Sequence, residues 1–158
     1  MQISVRTFDR EETLKLGATL GLFLVPGDIV TLDGDLGAGK TVFTTGVASS
    51  VCPKAFVSSP TFTIVNEYRG DSDTIPLFHF DTYRLDCEDD FLNVGLDEYF
   101  DGDGICIIEW SSVIEGLIPD KAIRIDITGT GDYRDIVIRI NEQAFSKERA
   151  KKIEAAIK

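Results

Sequence analysis

The segment "GDLGAGKT", Gly34–Thr41, constrains the fold of this chain of 158 residues more than any other. It contains the pattern G-x-x-x-x-G-K-[ST] in full. The glycines let successive backbone N–H groups point at phosphate oxygens, the lysine adds a mobile cation, and the final hydroxyl can ligate Mg²⁺. The loop needs a strand before it and a helix after it. Both are predicted, because "DIVTLDG" is rich in β-branched residues and "KTVFTTGVASSV" places Phe43, Val47 and Val51 on one helical face.

Strands and helices alternate along the rest of the chain. Residues 8–24 are a predicted helix, in which Asp9 is the N-cap and Glu12 follows three residues later, as in a capping box. Further helices are predicted at 88–100 and 144–158. The short apolar run "ICIIEW" predicts a strand covered on both faces, next to the P-loop strand at the centre of the sheet.

The predicted strands define the fold class. "KAIRIDITG" and "RDIVIRI" alternate in polarity and predict an antiparallel pair around the turn "TGTGDY". We therefore expect a single α/β domain over residues 1–158, of the P-loop NTPase type. Its central, mostly parallel sheet is flanked by helices and carries antiparallel strands toward the C-terminus.

Composition excludes several classes of function. The chain has 16 basic and 27 acidic residues, a net charge of −11. Nucleic-acid binding depends largely on lysine and arginine, so any role with RNA is expected to be indirect. Three cysteines without a C-x-x-C pair and one histidine exclude a zinc motif, and Cys106 is expected to be buried. No apolar run is long enough to span a membrane, and we expect a cytoplasmic protein without membrane contact.

Two acidic residues are candidates for the second half of a phosphate-loop site. Such a site needs an acid at the end of a nearby strand to hold Mg²⁺ through water or to orient the attacking water. Asp81 follows "LFHF" and Glu109 follows "ICII". Because the strand of Glu109 is the better neighbour for the P-loop strand, Glu109 is expected nearest the metal and Asp81 to position water. With Lys40, they are the candidate catalytic residues.

The sequence favours ATP as the nucleotide and leaves three functions open. No N-K-x-D segment for reading guanine is present, which weakens the GTPase interpretation. The alternatives are an ATPase driven by a partner, a small-molecule kinase with Asp81 as base, and a non-catalytic nucleotide-sensing module. The kinase is disfavoured because no arginine-rich insertion that could form a lid is visible.

Four segments taken together resemble one family. "GDLGAGKT", "SSPTFTIVNEY", "FHFDTYRL" and "IIEW", in this order, are similar to the TsaE (YjeE) family of small bacterial P-loop ATPases. The resemblance implies a component of the machinery that makes N6-threonylcarbamoyladenosine (t6A37) in tRNAs reading ANN codons. It also implies association with the TsaD–TsaB pair, contact with tRNA only indirectly, and no transfer of the threonylcarbamoyl group by this chain.

The resemblance also assigns roles to particular residues. Arg134 lies near where the family places a residue against the nucleotide base. Thr41 and Glu109 match its Mg²⁺-associated positions. Its phosphate-loop positions fall on Leu36, Gly37, Ala38, Gly39, Lys40 and Thr41, and its other motif positions on Ser59, Pro60, Thr61, Asp81, Tyr83, Arg84 and Trp110.

Two expectations concern activity. Ser59–Thr61 is predicted to be a switch, a hydroxyl-bearing turn that senses the γ-phosphate. No evident arginine finger accompanies the loop, so hydrolysis by the isolated chain is expected to be slow and a partner to complete the site.

Overall fold

The computed structural model covers residues 1–158 and contains seven strands and four α-helices. Two 3₁₀ helices lie at Leu96–Asp101 and Ser111–Leu117. In chain order the elements are β1 (Gln2–Thr7), α1 (Arg10–Gly21), β2 (Ile29–Asp33), α2 (Lys40–Val51), β3 (Val65–Tyr68), β4 (Leu77–Asp81), α3 (Glu88–Asn93), β5 (Ile105–Glu109), β6 (Ile123–Thr128), β7 (Arg134–Arg139) and α4 (Lys147–Ile157).

The strands form one mixed sheet in the order β1-β7-β6-β2-β5-β4-β3. The four central strands, β6, β2, β5 and β4, run parallel, whereas β7, β1 and β3 are antiparallel to their neighbours. The predicted fold class is therefore confirmed. So are the position of β5 beside the P-loop strand β2 and the antiparallel pairing of β6 with β7.

Apolar side chains cover both faces of the sheet. One core lies between the sheet and helices α1, α2 and α4, and includes Phe43, Val47 and Val51 as predicted. The other lies under α3 and the two 3₁₀ helices, and includes Cys106. Burial there raises the pKa of the Cys106 thiol to about 12. No helix combines the length and the apolar character needed to cross a membrane.

Helices α1 and α2 approach each other closely through two glycines. A Cβ atom on Gly17 would lie 2.3 Å from the carbonyl oxygen of Phe43, and one on Gly46 would lie 2.1 Å from that of Leu14. Real Cβ atoms do not come so near to backbone oxygens, so only glycine permits this packing. As a result, the first turn of α1 lies beside the phosphate loop.

The predicted helix ends are correct in part. Asp9 caps α1 by accepting a hydrogen bond from the Glu12 amide, while the Glu12 carboxylate accepts from the amide of Phe8, one residue before the cap. The helix predicted at 88–100 is interrupted, because Gly95 adopts a left-handed φ of 74° between α3 and the following 3₁₀ helix. Helix α4 begins at Lys147, since the Ser146 hydroxyl caps it by accepting from the Arg149 amide.

Candidate functional site

A cleft of about 430 Å³ opens at the carboxyl ends of the central parallel strands. This is the edge at which open α/β sheets bind their ligands. All the predicted phosphate-loop residues line it, as do Ser59, Thr61, Asp81, Glu109, Trp110 and Arg134. The cleft residues from these two groups are Leu36, Gly37, Ala38, Gly39, Lys40, Thr41, Ser59, Thr61, Asp81, Glu109, Trp110 and Arg134.

The phosphate loop has the backbone geometry of an anion-binding nest. Gly37 and Gly39 have positive φ values of 78° and 99°, which glycine adopts without strain. The amides of Gly37, Gly39, Lys40 and Thr41 donate to no backbone acceptor. They lie at the N-terminus of α2, where the helix dipole also favours a negative charge. The loop therefore presents a row of free N–H donors to the cleft.

Lys40 lies inside this nest. Its Nζ donates to the carbonyl oxygen of Gly34 and lies 3.5 Å from that of Asp35. The same ammonium lies 4.5 Å from the centre of the Trp110 ring, a cation–π contact. Lys40 is thus a buried cation whose direct contacts are with neutral groups, which a phosphate can replace as partners.

Asp81 and Glu109 lie side by side at the ends of β4 and β5, where they are register partners. Both are buried, with 4% and 3% of their surface exposed. Asp81 accepts hydrogen bonds from the Tyr83 amide at 3.0 Å and from the Thr61 hydroxyl at 3.2 Å. Glu109 Oε1 has no hydrogen-bond partner. The two acids therefore share a location but have different surroundings.

The predicted switch segment is tied to Asp81. The hydroxyls of Ser59 and Thr61 lie 2.8 Å apart, and Thr61 carries the link to the carboxylate. Ile64 has a φ of 69°, a conformation that is unfavourable for a β-branched side chain. Hydrogen bonds from the Ile64 amide to Pro60 and from the Asp81 amide to Ile64 hold it there. Strain of this kind is concentrated at functional segments.

Arg134 clamps the phosphate loop. Its guanidinium donates to the carbonyl oxygens of Ala38 at 2.8 Å and Gly37 at 3.1 Å, and also to Gly131 and Tyr133 in the β6–β7 turn. Arg134 lines the cleft, and its expected contact with the nucleotide base stays a prediction. The contacts of its side chain are with the loop backbone.

Arg84, one of the family's motif positions, does not line the cleft. Its guanidinium lies 4.4 Å from the centre of the exposed Phe62 ring. Tyr83 and Trp110 pack together with ring centres 4.9 Å apart, and Trp110 has a left-handed φ of 58°.

Sequence reasoning missed several residues of the site. The first turn of α1 and the β6–β7 turn complete the cleft through Asp9, Arg10, Thr13, Gly131 and Asp132. The glycines within α1 and α2 were the signal for the residues at the start of α1, because glycine inside a helix often marks a close contact between helices.

A third acid near the loop, Asp33, is turned away from the cleft. The Ser111 hydroxyl and amide both donate to it, at 2.6 and 2.9 Å. Burial raises the pKa of the Asp33 carboxyl, and these hydrogen bonds oppose the rise.

The cleft fits magnesium bound to a nucleotide. The chain has no cluster of three or more histidine, cysteine or acidic residues that could hold a metal by itself. Mg²⁺ in nucleotide sites does not need one, because phosphates and water supply most of its ligands. What the protein must add is one or two oxygen atoms, and the cleft offers the Thr41 hydroxyl and the Glu109 carboxylate.

Comparison with known proteins decides the family. The family model described as "Threonylcarbamoyl adenosine biosynthesis protein TsaE" matches residues 7–136, which include the loop and both acids. The chain belongs to the TsaE family. The TsaE protein of Bacillus subtilis is 45% identical over 131 residues, covering 83% of this chain and 80% of that protein. The TsaE protein of Treponema pallidum is 34% identical over 129 residues, covering 81% and 93%.

A solved structure agrees with the TsaE assignment. The crystal structure of Bacillus subtilis YdiB superposes with a TM-score of 0.80 at 36% identity, covering 98% of this chain and 95% of that one. The two TsaE relatives are named as tRNA threonylcarbamoyladenosine biosynthesis proteins. The TsaE resemblance predicted from the four sequence segments is therefore confirmed.

Proposed function

We propose that this chain binds ATP with Mg²⁺ and hydrolyses it as an accessory protein of t6A37 biosynthesis, acting with the TsaD–TsaB complex. The observation that carries the proposal is the cleft itself. A row of unpaired loop amides and one buried lysine face two buried carboxylates across it. This combination of phosphate-binding donors and metal- or water-binding acids suits phosphoryl transfer to water.

Each group of cleft residues has a separate role in the proposed reaction. The loop amides and Lys40 bind the β- and γ-phosphates, Lys40 exchanging its contacts with the Gly34 and Asp35 carbonyls for phosphate oxygens. Mg²⁺, held by Thr41 and Glu109, would neutralise charge on the phosphates. Asp81 orients the attacking water, and its hydrogen bonds from Thr61 and Tyr83 keep the carboxylate in place.

The rim of the cleft supports the partner-driven form of the proposal. Leu36 lines the cleft yet is 85% exposed, and Phe62, next to the lining residue Thr61, is 80% exposed. We take these two side chains, exposed beside a polar site, as candidate contacts for a partner protein. Two arginines line the cleft: Arg134 is bound to loop carbonyls, and Arg10 lies in the first turn of α1 beside the loop. A cation from the partner would complete the site.

The first experiment tests nucleotide binding. Lys40→Ala should abolish binding of ATP, measured by calorimetry, because the buried ammonium is lost from the nest. Lys151→Ala, which removes an exposed lysine on α4, is the matched control and should bind like the wild type. ATP binding by Lys40→Ala at wild-type affinity would rule out the proposed phosphate site.

The second experiment tests the role in the modification. ATP hydrolysis and t6A37 formation are measured with the chain alone, with the TsaD–TsaB pair, and with both plus tRNA. We expect slow hydrolysis alone and a marked increase with the pair. Equal rates with and without the pair would exclude partner-driven hydrolysis. Phosphate found on a metabolite instead of in solution would favour the kinase, and binding without turnover the sensing module.

A further inference from the structure

The single histidine of the chain lies at the bottom of the site. His79 is fully buried in β4, and neither of its ring nitrogens has a hydrogen-bond partner. Buried polar atoms without partners are rare, because each keeps the full cost of its lost hydration. No contact described above explains why a histidine occupies this position.

The Glu109 carboxylate lies beside His79. Its Oε1, also buried and unpartnered, lies 3.4 Å from His79 Nε2. The pairing of the strands explains this proximity. His79 and Asp81 are two residues apart in β4, so their side chains lie on the same face of the sheet. The register partner of Asp81 on β5 is Glu109. Two unpartnered atoms, one a potential donor and the other an acceptor, thus face each other beneath the cleft.

We propose that His79 is a positioning residue for Glu109. The Nε2–H group of His79 donates to Glu109 Oε1. This hydrogen bond orients the carboxylate so that Oε2 remains for the cleft. Partners behind a metal-binding group commonly have this effect, and their loss lowers metal affinity or activity by about ten- to a hundredfold. The inference rests on the proposed ATPase function for its kinetic test only.

The kinetic test uses three substitutions at His79. In His79→Gln the side-chain amide nitrogen reaches about as far as Nε2, whereas in His79→Asn it reaches only as far as Nδ1, and His79→Leu has no donor. With the partner complex present, we expect His79→Leu and His79→Asn to lose about ten- to a hundredfold in kcat. ATP affinity should stay near the wild-type value, and His79→Gln should retain most of the kcat. Equal losses in Leu and Gln variants of matching thermal stability would overturn the proposal.

A double-mutant cycle isolates the contact with Glu109. In a Glu109→Gln background, His79→Leu should cause little further loss of kcat, since the group that it orients has already been changed. A full, additive loss in that background would contradict the proposed pair.

A spectroscopic test is independent of activity and of the folding of any His79 variant. Because His79 is the only histidine, the imidazole ¹⁵N spectrum of the wild-type protein reports this ring alone. We expect the proton on Nε2, and a changed Nε2 shift in Glu109→Gln. A bare Nε2 in the wild type would overturn the proposal. If the wild-type protein proved to have no ATPase activity, the proposed function would fail while this test still decided the hydrogen bond.

Discussion

Asp81 and Glu109 occupy matching positions on neighbouring strands, yet their hydrogen-bond partners differ. Asp81 accepts hydrogen bonds from the Thr61 hydroxyl and the Tyr83 amide. Glu109 is equally buried but has an oxygen without a partner, near His79. Asp81 is hydrogen-bonded to the Ser59–Thr61 segment, whereas Glu109 Oε1 faces only the His79 ring. Burial alone therefore does not assign a role to a carboxylate, whereas its hydrogen-bond partners do.

The largest effect on ATP hydrolysis should follow from changing Glu109. Glu109→Gln keeps the shape of the side chain but removes its charge, so hydrolysis with the partner complex should fall by roughly 10²–10⁴-fold while ATP still binds. Phosphate release and calorimetry measure the two quantities. Glu98→Gln, at an exposed glutamate, is the control. Unchanged turnover in Glu109→Gln would show that the charge of Glu109 is not needed for hydrolysis.

A smaller effect on hydrolysis is expected at Asp81, whose carboxylate accepts two hydrogen bonds. In Asp81→Asn the amide can keep partners at Tyr83 and Thr61, but it is a poor acceptor for the proton of an attacking water. We expect hydrolysis to fall by about a hundredfold, at the lower end of such effects. Phosphate release under saturating ATP measures it, with Asp73→Asn at an exposed position as control. A larger loss here than in Glu109→Gln would reverse the two roles.

The link between Asp81 and the switch segment should contribute less again. Thr61→Val removes the hydroxyl that donates to the carboxylate, and a hydrogen bond to a charged group is worth about 1.5–3 kcal/mol. We expect a loss of about tenfold in turnover. Thr61→Ser retains the hydroxyl and should behave like the wild type. If Thr61→Val and Thr61→Ser had equal turnover, the hydroxyl would have no role in orienting Asp81.

The last difference concerns stability, and its sign differs between the acids. Asp81→Ala leaves the donors of Thr61 and Tyr83 without their acceptor and should lower the free energy of unfolding by about 1–3 kcal/mol. Glu109→Gln removes a buried charge and should leave stability unchanged or slightly raised. Denaturant unfolding of both variants measures the difference. A greater loss of stability in Glu109→Gln than in Asp81→Ala would contradict this expected order.

The local sequence predicted much of the fold and site. The phosphate loop, its flanking elements and the Asp9 cap depend on residues close together in the chain, so their patterns are readable without a structure. The apolar run of β5 indicated a central strand, which placed Glu109 beside the loop. ATP, Mg²⁺ and the cytoplasmic location stay predictions.

The tertiary structure decided what depends on contacts between distant residues. Pairing of β1 with β7, packing of α1 against α2 through Gly17 and Gly46, and the Arg134 clamp all join segments far apart in sequence. The different surroundings of Asp81 and Glu109 have the same origin. The sequence by itself determined which groups reach the edge of the sheet, because strand ends and loops follow local patterns. Only the folded chain determined which of those groups are paired, because hydrogen-bond partners are set by register and packing across strands.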